Sequence, residues 1–217
     1  MFESAAGETG DLMNLIIIAV IIICIVVLGF GSPAWLRRWS SKKYVEKLEP
    51  IAAALGGEVV SNLWFSSHLL LRVDKHEARV ELPQRKNQES PLILRLMTTL
   101  PFTLDIAQED SANLEVFVGD TAAKFLRNLE SKYEFQIGDQ AFDDKYFLVS
   151  KNPDLAKEFL LSGQKREIVD YFFKHGFTRL GATEYSVFAA KSGYGPEDFE
   201  PWTVRYHLGQ LNKFASA

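Results

Sequence analysis

A long hydrophobic segment near the N-terminus constrains this chain more than any other feature. Between Leu12 and Phe30 the sequence has no charged residue, and from Leu15 onward it has no polar side chain. A bilayer core is about 30 Å thick and an α-helix rises about 1.5 Å per residue, so about 20 apolar residues span it. The segment therefore predicts one transmembrane helix over residues 12–31, followed by a domain held at a membrane surface.

Charged residues on the two sides of this helix predict its orientation. Glu3, Glu8 and Asp11 precede it without any Lys or Arg, whereas a secretory signal peptide needs a positively charged start and a small-residue cleavage site. Lysines and arginines concentrate in the linker over residues 32–43, and such residues stay on the cytoplasmic side of a span. We therefore expect residues 1–11 to be a short extracytoplasmic N-terminus. The protein would be a single-pass protein of the plasma or inner membrane with a cytoplasmic C-terminal domain.

The basic linker is also predicted to contact the membrane interface. Tryptophan combines an apolar ring with a polar N–H group, and both tryptophan and basic residues are common where lipid headgroups meet water. The residues that we assign to this interface are Trp35, Arg37, Arg38, Trp39, Lys42 and Lys43. Two alternatives stay open: the cations act only as topology determinants, or the tryptophans belong to the core of the following domain.

Residues 44–217 are expected to form one cytosolic α+β domain. Apolar residues recur at helical spacing over residues 44–55 and stop at Gly56-Gly57, after which the period changes to two, as in strands with one buried face. Further helices are predicted over residues 152–161, 164–174 and 201–214. Strands that follow one another without regular strand–helix alternation favour an α+β fold with a mainly antiparallel sheet and several packed helices.

Charge and cysteine content limit the chemistry of this domain. From Leu48 onward 24 acidic residues stand against 19 Lys and Arg, with the signs interspersed, which disfavours a nucleic-acid partner. The one cysteine, Cys24, lies in the hydrophobic segment, so the domain has no thiol nucleophile, thiolate ligand or disulfide. The domain also lacks the phosphate-loop, dinucleotide, nucleophile-elbow and zinc-protease motifs.

A few polar residues have side chains that can act as ligands or catalysts, but their positions favour ordinary structural roles. Asp139, Asp143 and Asp144 form the densest acidic group, but Asp at turns usually accepts hydrogen bonds from its own backbone. His68 and His76 flank a predicted hairpin and would need a third metal ligand. His175 is expected at a helix C-terminus, and His207 on the solvated side of the last helix. The sequence therefore nominates no catalytic, cofactor-binding or metal-binding residue.

A membrane anchor joined to a domain without a recognisable catalytic motif leads to three functional hypotheses. The leading one is a non-enzymatic membrane protein whose cytosolic domain is an interaction or scaffolding module, with the bilayer bound through residues 12–31 and a protein as the second partner. The alternative is a membrane-tethered module that binds a lipid or another apolar ligand in a groove lined by some of the 16 phenylalanines, although most of these fit a filled core. The third is an enzyme without a recognisable motif.

Overall fold

The computed structural model describes residue 42 and residues 44–61, 66–83, 91–108 and 133–216. The predicted N-terminus and transmembrane helix lie outside these residues, as does the linker except for Lys42. Of the helices that the structure describes, none combines the length and the apolar character that a bilayer-crossing segment requires. Residues from Tyr44 onward form one compact unit.

Eight strands form one antiparallel sheet, in agreement with the predicted α+β class. In chain order the strands are β1 (Glu58–Ser61), β2 (Ser66–Val73), β3 (His76–Pro83), β4 (Leu92–Met97), β5 (Leu104–Gln108), β6 (Tyr146–Val149), β7 (Arg179–Thr183) and β8 (Ser186–Lys191). Their spatial order is β1-β2-β3-β4-β8-β7-β5-β6. The first four strands are a meander, and β4 joins this meander to the other half through its pairing with β8.

Five α-helices accompany the sheet in the described part of the chain. They are α1 (residues 44–55), α2 (Gln140–Asp143), α3 (Pro153–Leu161), α4 (Lys165–Lys174) and α5 (Pro201–Ala215), and a 3-10 turn (Pro196–Phe199) precedes α5. Alternate strand residues and the apolar helix stripes belong to a single buried cluster. Leu48 and Ile51 of α1 and Leu208 of α5 are at most 1% exposed there, so both helices pack on the sheet through their apolar stripes.

The end of α1 is fixed against β2 by two glycines. Gly56 has a φ of 73°, a left-handed conformation that ends helices and favours glycine. The Gly56 and Gly57 amides both donate to the Ala52 carbonyl at 2.9 Å. A Cβ atom on Gly57 would stand 2.5 Å from the carbonyl oxygen of Leu70, so the chain approaches β2 more closely than any other residue allows.

The C-terminus of α5 is tied to the start of α4 by a buried lysine. The Lys165 side chain is 5% exposed, and its Nζ donates to the carbonyls of Lys213 at 2.9 Å and of Phe214 at 3.0 Å, and also to that of Ser216. These carbonyls are the unpaired acceptors at the negative end of the helix dipole. Burial lowers the pKa of Lys165, while the three acceptors favour its ammonium form. This contact makes α4 and α5 one packed pair.

Candidate functional site

A surface depression with an apolar floor lies between α1, α5 and the β2–β3 hairpin. We call it the α1–α5 groove; its volume is about 520 Å³. It is lined by Ala54, Leu55, Leu71, Arg72, Val73, Asp74, Arg205, Leu208, Gly209, Asn212 and Lys213. Leu71 and Leu208 form buried parts of its floor, and Leu55 and Val73 are half-buried. The groove therefore offers apolar surface between two helices that the sheet holds in place.

Gly209 widens the groove at the middle of α5. A Cβ atom built on this residue meets nothing within 4 Å, so the space beside it is open. Glycine inside a helix costs about 1 kcal/mol relative to alanine. Neither a close neighbour nor a left-handed backbone at Gly209 offsets this cost. The residue therefore leaves room at the groove rather than serving the packing of α5.

Three exposed cations stand at the rim of the groove. Arg72, Arg205 and Lys213 line it and are exposed, and within the described residues none of them forms an ion pair with a carboxylate. The one acidic residue in the lining is Asp74, and it is engaged with Asn212, whose Nδ2 donates to Asp74 Oδ2 at 2.6 Å. The rim thus carries unpaired positive charge around an apolar floor.

The same Asp74–Asn212 bond closes one end of the groove. Asp74 is the first residue of the two-residue turn between β2 and β3, and its φ is 52°. Asp tolerates this left-handed conformation better than most residues other than glycine. Its carboxylate connects the hairpin tip to α5 across 138 residues of sequence. The bond therefore sets the distance between the hairpin and the helix.

A second groove, of about 370 Å³, lies between α2 and α4 and is occupied by its own ion pairs. Lys145 donates to Asp170 Oδ1, as does the Tyr146 hydroxyl at 2.6 Å, and Arg166 pairs with Asp139. Burial, with the bond to Asp170, raises the pKa of Tyr146 to about 12. Burial alone would raise the pKa of Asp170, but hydrogen bonds from Lys145 and Tyr146 lower it. Each of these groups is engaged in a hydrogen bond or ion pair with another, so none of them is positioned as a general acid or base.

The acidic cluster predicted to serve its own backbone does so for two of its three members. Asp139 precedes α2 and accepts from the Phe142 amide at 3.4 Å. Asp143 accepts from the amides of Ile137 at 2.9 Å and Gly138 at 2.8 Å. The carboxylates of Asp139 and Asp143 therefore accept hydrogen bonds from backbone amides of their own turn, as the sequence predicts.

His207 is not on the solvated side of α5, and that expectation is wrong. Its side chain is 4% exposed, and its Nδ1 lies 2.7 Å from the Tyr171 hydroxyl. Burial lowers the pKa of His207 to about 4, so the ring is neutral at physiological pH. Burial also raises the pKa of Tyr171. The pair joins α4 to α5 by a neutral hydrogen bond inside an aromatic cluster.

The other histidines have separate structural positions. His76 Nδ1 lies 3.1 Å from the Met97 carbonyl, His68 pairs with Glu81 in the β2–β3 ladder, and His175 caps the C-terminus of α4 as predicted. The described residues contain no group of three or more His, Cys, Asp or Glu side chains that could hold a metal ion.

A third groove, of about 500 Å³, lies beside the start of β5 and the ends of β6 and β7 and has a mostly apolar lining. Val149 and Phe188 contribute to it, and Asp105 stands in it in an ion pair with Arg179. The Phe188 ring covers Gly181, where a Cβ atom would stand 2.8 Å from the ring. Arg95 lies over the same ring at 5.5 Å from its centroid. Because its lining is mostly apolar, this groove could accommodate part of a lipid or another apolar ligand.

The predicted membrane-interface residues lie mostly outside the described residues. This holds for Trp35, Arg37, Arg38, Trp39 and Lys43. Lys42 is described; it is helical and exposed. Sequence reasoning does not find the α1–α5 groove, because its residues come from three separate stretches of the chain: α1, β2 with its turn, and α5. Gly209 inside an otherwise regular amphipathic helix was the one local signal.

Comparison with known proteins adds a distant structural likeness. No family model matches the sequence, and no curated protein matches it either. A crystal structure of the mycobacterial trehalose monomycolate transport factor A, TtfA, is similar with a TM-score of 0.47 and 10% sequence identity. The alignment covers 78% of this chain and 92% of that chain. A likeness of this degree carries no argument about the function of the present protein.

Proposed function

We propose that this chain is a single-pass membrane protein whose cytosolic α+β domain recruits a protein partner through the α1–α5 groove. Residues 12–31 are the proposed anchor, and their apolar composition supports it. The observation that carries the recruiting role is an apolar floor surrounded by the unpaired cations Arg72, Arg205 and Lys213. No catalytic step is assigned to the domain.

The shape and charge of the groove favour one kind of partner. An apolar trough beside a helix suits an amphipathic helix, whose apolar side chains recur every three or four residues. Unpaired cations at the rim favour acidic residues on the flanks of such a helix, because complementary charge increases the rate and specificity of association. The proposed ligand is therefore an acidic amphipathic segment of another protein. Gly209 gives its side chains room at the centre.

Site-specific photo-crosslinking in native membranes tests this function. A photoreactive amino acid is placed at Ala54, an exposed groove residue of α1, and for comparison at Lys151, an exposed residue outside the groove. We expect a discrete adduct from position 54 and none from position 151. The crosslinked peptide of the partner should be amphipathic and acidic.

Charge reversal provides the matched control for this experiment. The variant R205E/K213E should abolish the adduct, and G209F, which fills the groove, should abolish it too. The variant K151E/K174E makes the same change of net charge at exposed positions outside the groove lining and should leave the adduct intact. An adduct that survives R205E/K213E, or a crosslinked peptide without acidic residues, contradicts the proposal.

The second candidate function is binding of an apolar ligand, and the mostly apolar third groove supports it. Its lining includes Leu104, Val149 and Phe188. Native mass spectrometry of the full chain released from detergent micelles would detect a retained lipid. A V149D/F188S variant should lose that lipid, while R205E/K213E should keep it. Absence of any retained lipid in the wild-type protein removes this candidate.

A further inference from the structure

Two large aromatic side chains are exposed on the first turns of α5. Trp202 is 71% exposed and Tyr206, one helical turn further on, is 54% exposed. The Tyr206 ring contacts Tyr171 of α4 with centroids 5.6 Å apart, so it is held in position at the surface. Exposed aromatic rings at adjacent positions commonly mark a surface that meets a partner or a membrane.

This aromatic pair lies at the end of the domain where α1 begins. Lys47, in the first turn of the described helix, has its Nζ 5.0 Å from the ring centroids of both Tyr194 and Phe199. Phe199 ends the 3-10 turn, and Trp202 follows it by three residues. The first turns of α1 and α5 are therefore neighbours.

Chain length places a bilayer within reach of this end. The predicted span ends at residue 31 and α1 is described from residue 44, which leaves the 12 residues of the linker between them. A chain of that length extends at most about 40 Å, and much less where it is helical. We infer that Trp202 and Tyr206 insert into the lipid–water interface of the bilayer to which the chain is tethered. This inference rests on the anchor in the proposed function.

The charges around the pair indicate that the rings, rather than electrostatic attraction, drive this contact. Glu197 and Glu200 precede Trp202, whereas Lys47 and Arg205 are the nearby cations. These two acidic and two basic residues balance in charge, so electrostatic attraction to anionic headgroups would add little to the binding free energy. Tryptophan and tyrosine prefer the headgroup region of any bilayer, because their rings are apolar and their N–H and O–H groups stay hydrated. Zwitterionic phosphatidylcholine should therefore be sufficient.

Fluorescence quenching by brominated lipid tests the contact on the natural side chain. The full chain with W35F, W39F and W64F keeps Trp202 as its single tryptophan and is reconstituted into phosphatidylcholine vesicles with or without bromine in the acyl chains. The control adds W202F and Y185W. Tyr185 is 69% exposed and precedes β8, whose other end, Lys191, pairs with Asp198 beside Phe199. The control position is therefore similar to Trp202 in exposure, and about 20 Å of extended strand separates it from Lys191.

We expect brominated lipid to reduce Trp202 emission at least twofold, with a blue-shifted maximum, at both low and high salt. Emission from position 185 should stay unchanged. Flotation of the vesicles separates the two ways to fail. A chain that does not float contradicts the anchor and with it this inference. A chain that floats but leaves Trp202 unquenched, or that is quenched equally at both positions, overturns the interfacial contact alone.

Discussion

His207 makes the stability of the domain depend on pH, because its imidazole ring is buried in the neutral form. Its pKa is lowered to about 4 in the folded protein, while an unfolded histidine titrates near 6.5. Below pH 6.5 the unfolded state binds the proton first, so the contribution of the neutral ring is complete above that pH and is lost as the pH falls towards 4. We expect a loss on the order of 2 kcal/mol in the free energy of unfolding between pH 7 and pH 5.

Chemical unfolding of the full chain in mild detergent at several pH values measures this effect. An H207F variant keeps an aromatic ring of similar size but cannot be protonated, so its stability should fall less steeply over the same range. Y171F removes only the hydrogen-bond partner, which lies 2.7 Å from the ring, and should retain most of the slope. Equal slopes for the wild-type protein and H207F would show that another group dominates acid sensitivity.

The Lys165 ammonium stabilises the last turn of α5 through three carbonyl groups. A K165M variant keeps much of the side-chain volume but leaves these acceptors without their donor. A lost hydrogen bond of a buried charged group costs about 1–3 kcal/mol, and we expect a destabilisation in that range. Hydrogen exchange should become faster in α5 near its C-terminus. K174M, at the exposed end of α4, is the control and should change neither quantity appreciably.

The β2–β3 hairpin and α5 are linked by one hydrogen bond whose two partners can be tested separately. N212A removes the bond to Asp74 and should cost about 1 kcal/mol. D74A removes the same bond and also places alanine at a φ of 52°, so it should cost about 1–2 kcal/mol more than N212A. D74G removes the bond without that backbone strain. Thermal unfolding should therefore rank D74G above D74A, and the reverse order would contradict the strain.

The extents of the regular elements follow from local patterns in the sequence, whereas their arrangement does not. The predicted α3, α4 and α5 agree with the structure to within a few residues, because proline, glycine and a 3.6-residue apolar period act over one or two turns. The pairing of β4 with β8 joins Leu92 to Lys191, and no local pattern encodes a contact over that separation. The polarity of His207 favours a solvated position, but its place in the helix puts it in the same buried stripe as Val204 and Leu211.

The α1–α5 groove was beyond prediction for the same reason. Its floor joins Leu71 of β2 to Leu208 of α5, and its rim joins Arg72 to Lys213. Each residue alone is an ordinary core leucine or surface cation. Only the packing of two helices on one sheet face brings them together. Gly209 signals an irregularity in α5, but sequence alone does not say what faces it.

The inferred bilayer contact and the proposed partner groove adjoin each other at Arg205, which lines the groove and lies between Trp202 and Tyr206 in the sequence. Lys47 of α1 and the residues just before α5 are neighbours, while Leu55 and Gly209 line the groove at later turns. The seven residues from Trp202 to Gly209 correspond to about 10 Å along a helix. A domain that rests on lipid through its first turns would thus leave the later turns, with Leu55 and Gly209, accessible to a partner.

The proposed topology makes the last prediction, which concerns the whole chain. Residues 12–31 carry no charge and the cations that follow them, from Arg37 to Lys47, favour the cytoplasmic side. A C-terminal tag should therefore be protected from protease in intact spheroplasts and digested after permeabilisation, and the chain should stay in the membrane pellet after alkaline carbonate extraction. Deletion of residues 12–31 should move it to the soluble fraction. Digestion of the tag in intact spheroplasts would reverse the orientation, and a soluble full-length chain would remove the anchor on which the recruiting role depends.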